Sequence, residues 1–240
     1  LEQIVIADPE LASTQVFDSL VDVVTRGEPD MRDRAAKVLM RIGSVTPERI
    51  TIRAFETLIE LQTNVYMSVH LDATAALEKI INTRPELGVA FSETLKRLMI
   101  NRDWNVRSSA VDTLGRFVGA NPELATTQMS DVVVELLADD NAFVRSSAAE
   151  ALGQLEGTHL ELATPQMLEA VVGLLVDDNA SVRSSAAYAL EQLADANPEL
   201  VTTQMVEAVV GLLVDDAWDV RSSAVDTLGQ IADANPELVT

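Results

Sequence analysis

Val144-Arg145-Ser146-Ser147-Ala148 is one of four copies of a pentapeptide; the others begin at Val106, Val182 and Val220, and successive copies lie 38 residues apart. A second marker keeps the same beat. Pro-Glu-Leu or a near relative begins at Pro9, Pro47, Pro85, Pro122, Leu160, Pro198 and Pro236, at intervals of 38, 38, 37, 38, 38 and 38. Self-similarity at such a period signals supersecondary units that bury their apolar faces only against their neighbours. The markers divide the chain, 1–240, into one array with repeats at 9–46, 47–84, 85–121, 122–159, 160–197 and 198–235, flanked by partial units at 1–8 and 236–240. Leu1-Glu2-Gln3-Ile4 matches the end of a unit, Leu228-Gly229-Gln230-Ile231. The sequence therefore reads as a piece of a longer array.

Each unit reads as two helices. Ser13, Thr51, Thr126, Thr164 and Thr202 share one slot and suit an N-cap, with Pro165 at a position that a helix start tolerates. Behind that slot Met129, Val132, Val133, Leu136 and Leu137 recur at three- and four-residue spacing and form one apolar face. The helix ends at an acidic turn, Asp139-Asp140-Asn141, Asp177-Asp178-Asn179 or Asp215-Asp216, where Asp140, Asp178 and Asp216 are expected to cap the second helix. In that helix Val144, Ala148, Ala151, Leu152 and Leu155 fall within a sector of about 100°. Gly157 or Asn197, with a proline close by in most units, is expected to close the unit. No segment alternates with period two over a useful length. The expected fold is all-α, a right-handed α-α superhelix of about six 38-residue hairpins.

Composition narrows function by exclusion. A chain with 48% hydrophobic and 23% charged residues is globular. Its net charge of −21, from 38 acidic and 17 basic residues, argues against general binding to nucleic-acid backbones or anionic membranes. Zero cysteines exclude disulfides, thiolate catalysis and cysteine-bound zinc. The apolar runs are far too short to span a bilayer and no signal peptide leads the chain, which gives a cytoplasmic reading.

The acidic turn, the Val-Arg pair opening the second helix, the Ala-rich stretch with Ala-Leu-Gly, and the period together resemble the HEAT repeat family. The resemblance covers essentially the whole chain. It is close in repeats three to six and looser in the first two, where Met31-Arg32 and Val69-His70 fill the Val-Arg slot. It implies a helical-hairpin solenoid whose second helices line the concave side. It does not imply one function, because such arrays serve as scaffolds, transport receptors and occasionally enzymes.

Slots filled alike in successive units are expected to serve the stacking. Arg32, Arg107, Arg145, Arg183 and Arg221 form such a ladder and are expected to tie acidic turns together. Ser146-Ser147 and its equivalents, with Gly115, Gly153 and Gly229, are expected to let helices approach closely. The variable slots are the functional candidates. Counted from the Val-Arg valine, the seventh position reads Lys37, Ala75, Asp112, Glu150, Tyr188 and Asp226. The eleventh reads Arg41, Lys79 and Arg116, then Gln154, Gln192 and Gln230. Two residues before the valine stand Met67, Trp104, Ala142, Ala180 and Trp218, and Phe143 stands one residue before it. Packing of these rings over the turn onto the next repeat is weighed ahead of a role as exposed anchors for a partner. Charge is graded along the chain: residues 1–121 hold 14 basic and 17 acidic side chains, residues 122–240 hold 3 and 21. A graded groove would orient a charged partner.

No catalytic set, cofactor site or metal site emerges. His70 sits in the arginine slot and His159 before the Pro-Glu-Leu marker, with no recurring His-Glu pair of the kind that binds metal in HEAT-like deoxyhypusine hydroxylases. The leading reading is a scaffold that binds a protein or peptide along the groove through Lys37, Arg41, Lys79, Trp104, Asp112, Arg116, Phe143, Glu150, Tyr188, Trp218 and Asp226. By resemblance the alternatives are an enzyme akin to phycobilin lyases and a nucleic-acid binder akin to HEAT-like DNA glycosylases. The regularity of repeats four to six also fits an engineered or duplicated array. The open phase at both ends predicts end-to-end self-association.

Overall fold

Ser13, Thr51, Thr126, Thr164 and Thr202 each accept a hydrogen bond from the backbone N–H three residues further on, and each opens a helix. Pro165 occupies the first turn behind Thr164, where no helical N–H is needed. The computed structural model describes residues 8–63, 70–121, 124, 126–158, 164–235 and 238. Among them lie twelve α-helices: α1 Thr14–Arg26, α2 Pro29–Val45, α3 Ile52–Gln62, α4 His70–Thr83, α5 Gly88–Met99, α6 Trp104–Ala120, α7 Thr127–Leu136, α8 Ala142–Thr158, α9 Pro165–Leu174, α10 Ala180–Ala196, α11 Thr203–Gly211 and α12 Trp218–Ala234. The described residues contain no strand. Residues 1–7, Met67, Val69, His159 and 236–237, together with the His70 side chain, lie outside the described set.

Packing divides the chain into two compact units, Leu1–Ala110 and Val111–Thr240. In the first, α1 packs on α2 and α3 on α4, and α2 lies against α4. Its core is aromatic and aliphatic. Phe17, Phe55 and Phe91 are fully buried, one from each of α1, α3 and α5, and the rings of Phe55 and Phe91 meet at 6.5 Å and 40°. Leu39 and Ile42 of α2 and Leu77 and Ile80 of α4 are fully buried as well. In the second unit α7 packs on α8, α9 on α10 and α11 on α12, while α10 lies between α8 and α12. Val144, Ala148, Ala151, Leu152 and Leu155 are all buried, as are Met129, Val133, Leu136 and Leu137; Val132 is half-buried. Each large aliphatic side chain so buried contributes about 1.5–3 kcal/mol.

Three expectations are corrected. The cap of the second helix is the residue after the acidic pair. Asn179 accepts from the N–H groups of Ser181 and Val182, and Asn141 from that of Phe143. Ala217 holds the slot before α12 with no side-chain bond. A cap must stand immediately before the first helical residue. Asp140, Asp178 and Asp216 stand one residue too early, and the first aspartates make the turn: Asp139, Asp177 and Asp215 accept from the N–H groups of Asn141, Asn179 and Ala217. Gly157 lies inside α8, whereas Asn197 does cap the end of α10, ahead of a 3-10 turn at Pro198–Leu200. Close approach is real at Gly153, where a Cβ would meet the Ala189 Cα at 3.0 Å, and at Gly115, where it would meet the Gln154 Oε1 at 2.6 Å. Nothing lies within 4 Å of a Cβ at Gly229.

Candidate functional site

The second helices carry two sets of polar groups. One set holds neighbouring repeats together. Arg145 donates from Nε and Nη2 to both carboxylate oxygens of Asp177, at 2.8 Å each, and from Nη1 to the Asp139 carbonyl at 2.8 Å. Arg183 repeats the arrangement with Asp215 and the Asp177 carbonyl. Arg221 and Arg107 each donate to two carbonyls of the turn preceding their own helix, and Arg32 donates to Gly27. Arg145 and Arg183 thus join their own turn to the next repeat's turn, and Arg32, Arg107 and Arg221 bond the turn before their own helix. Burial pushes the Asp177 carboxyl up, but the Arg145 fork, the Asn179 N–H and the charges of Arg145 and Arg183 outweigh it and hold the group below its ordinary value. The Arg183 fork and the Ala217 N–H hold Asp215 low. The same pairings raise Arg145 and Arg183.

Serine adds a role that the sequence reading missed. The hydroxyls of Ser146 and Ser185 hydrogen-bond at 2.8 Å, and those of Ser184 and Ser223 at 2.9 Å. Ser185 also donates to Glu150 at 2.7 Å, and Ser147 hydrogen-bonds Asp112. A carboxylate in the seventh slot is therefore bonded to the serine 35 positions later. The repeated Ser-Ser pair was the available signal, read then only as small side chains.

The second set faces outward. All eleven candidate residues are exposed. In the first unit Lys37, Arg41 and Lys79 come together around one cavity of about 660 Å³ between α2 and α4, completed by Met40, Ser44, Ala75 and Ala76. Trp104, in the first turn of α6, is not part of that lining. In the second unit Asp112, Arg116, Phe143, Glu150, Tyr188, Trp218 and Asp226 sit along α6, α8, α10 and α12. Desolvation raises the Asp112 carboxyl against the Ser147 bond and the Arg116 charge, although the residue keeps an open edge. Phe143 is 64% exposed and Trp218 70%, so these rings do not fold over the turn as expected; Trp104 is 36% exposed.

No group of three acidic or histidine side chains among the described residues is placed to hold a metal ion. No described helix is long and apolar enough to cross a membrane.

A sequence model of the family described as HEAT repeats matches residues 91–191 and 130–229. The chain belongs to the HEAT-repeat family. Likenesses among solved structures agree on a helical-repeat solenoid. An engineered protein of the Northeast Structural Genomics Consortium is similar at 23% identity and a TM-score of 0.58, over 91% of this HEAT chain and 97% of that one. Kap121p is similar at 17% identity and a TM-score of 0.75. The match takes in 99% of the HEAT chain but spans 28% of Kap121p. A designed armadillo repeat protein in complex with a (KR)4 peptide is similar at 21% identity and a TM-score of 0.59, over 89% and 98%. Kap121p bound to RanGTP gives 18% and 0.76. No curated protein matches the HEAT chain in sequence.

Proposed function

We propose that this HEAT-repeat chain is a binding scaffold that takes a protein or peptide partner along the outward face of its second helices. One observation carries the reading: Phe143 and Trp218 stand exposed in the first turns of α8 and α12, on helices that also present Glu150 and Asp226. Large rings left in water cost solubility and serve as anchors once a partner covers them. Residues 122–240, with 3 basic and 21 acidic side chains, favour a basic segment there. The similar armadillo design is bound to a basic peptide and the similar Kap121p to RanGTP, which supports partner capture as the use of such a face. The test is affinity capture with the chain as bait, beside Trp104→Ala and Trp218→Ala. Loss of the captured partner on substitution supports the scaffold; an unchanged catch in both variants overturns it.

Self-association is a second reading with its own observation. Val225 is 58% exposed, whereas Val111, Ala149 and Ala187 in the same slot are fully buried. Leu213 is open where Leu137 and Leu175 are covered. A second copy covering this apolar face would make the chain associate with concentration. Light scattering that stays monomeric across a wide concentration range rejects it.

A further inference from the structure

The first helices of the second unit enclose a groove that is apolar below and acidic at its edge. α9 and α11, with the 3-10 turn at Pro198–Leu200, line a cavity of about 400 Å³. Leu168, Val172, Leu200 and Met205 are buried or half-buried and make its floor, while Glu169 and Glu199 stand exposed at its rim. The second unit has no cation to spare for them. It holds no lysine and four arginines: Arg145, Arg183 and Arg221 are bonded to turns, and Arg116 stands beside Asp112. The first unit fills the corresponding slots differently. There Arg49 meets Glu10 at 2.6 Å and Arg53 meets Asp22 at 2.6 Å. Counted from the Pro-Glu-Leu marker, Arg49 becomes Leu200 and Arg53 becomes Gln204, and both line the groove. The same exchange removes two cations and lays down apolar surface.

We propose that this groove receives a lysine or arginine side chain from a basic segment of a partner protein. The aliphatic stem lies over Leu168, Val172 and Leu200, and the cation stays at the wet rim with Glu169 and Glu199. Long basic side chains suit such a site, because they cover apolar surface with methylenes and keep the charge in water. The volume falls within the range of ligand pockets, about 300–1,000 Å³. None of the lining residues lies on a second helix, so this is a surface beyond the scaffold face.

Other ligands fit less well. The N-terminus of α11 borders the groove and would favour an anion, but Thr202 already caps it and two carboxylates repel one. A bare divalent cation wants a shell of oxygens, and no group of three acidic or histidine side chains among the described residues is placed to supply it. A wholly apolar segment would take water from Glu169 and Glu199 and give nothing in return.

The experiment is fluorescence anisotropy of a labelled oligo-lysine peptide, with the helical content of each variant checked by circular dichroism. Glu169→Gln/Glu199→Gln should weaken binding at least about tenfold. Gln204→Lys, which returns a cation to the groove without touching a carboxylate, should weaken it comparably. Asp131→Asn/Glu135→Gln makes the same change of charge on α7 and should stay within about twofold of the parent. Oligo-ornithine, one methylene shorter in each side chain, should bind about fourfold more weakly. Absence of oligo-lysine binding, or equal losses in the groove and α7 variants, overturns the proposal. So does equal binding of lysine and ornithine peptides, or displacement of the peptide by an equal concentration of calcium ion. Trp218→Ala separates the two surfaces. Oligo-lysine binding that depends on Glu169 and Glu199, with no tryptophan-dependent capture, defeats the scaffold face alone, and the reverse defeats the groove alone.

Discussion

Arg183 grips the carboxylate of Asp215, 32 residues away, with Nε at 2.7 Å and Nη2 at 2.8 Å, while its Nη1 bonds the Asp177 carbonyl. One side chain thus closes its own turn and fastens the next. The side chains are 16% and 11% exposed, so the pair is only partly screened by water.

Removing the fork should loosen the second unit. Arg183→Ala is expected to lower stability by about 1–3 kcal/mol, since Asp215 keeps its charge and loses its partner. Arg183→Lys should recover little of this, because an ammonium cannot make the paired bonds. Urea midpoints check both; a lysine variant as stable as the parent would refute the bidentate account.

Acid should release the same tie. Asp177 and Asp215 are held below their ordinary value of 3.8, so their contribution is complete above that value. It is lost as pH falls from there through the lower folded values. Comparing urea midpoints at about pH 7 and about pH 3, the double variant Arg145→Gln/Arg183→Gln should lose less stability on acidification than the parent. Equal losses would remove these pairs from the acid response.

Glu191 should behave oppositely. Burial first, then the charges of Asp226 and Asp195, raise its carboxyl. A raised acid weakens the fold while ionised, a cost present at neutral pH and relieved as pH falls through the folded value. Glu191→Gln should raise the neutral-pH midpoint modestly. A drop would mean that the carboxylate has a stabilising partner.

Two glycines should answer alanine with opposite signs. Gly229→Ala meets nothing and should stabilise α12 by up to about 1 kcal/mol. Gly153→Ala would press a methyl 3.0 Å from the Ala189 Cα, a backbone atom that cannot step aside, and should destabilise. Thermal melts of the two variants decide.

Exposed and buried positions of the second unit should part company too. Trp218→Ala should leave stability within about 0.5 kcal/mol, whereas Leu190→Ala, at a 3% exposed site, should cost about 2–5 kcal/mol. A large loss at Trp218 would make that ring structural and weaken its candidacy as an anchor.

The sequence was enough for the period, the helices, the hydroxyl caps from Ser13 to Thr202, the buried stripe from Val144 to Leu155, and an arginine ladder bonded to acidic turns. These are local or repeated features, and a pattern that recurs every 38 residues states its own rule. What needed the fold were choices between near-equivalent groups, some neighbours in one turn and others brought together from adjacent repeats. Asn179 rather than Asp178 caps α10 because a one-residue offset changes which oxygen faces the free N–H groups. Asp215 rather than another acid takes Arg183 because stacking sets that carboxylate across from the guanidinium. The outward stance of Trp218 and the groove lined by α9 and α11 arise in the same way. Exposure and an empty space belong to the packing of neighbours, and no single repeat contains either.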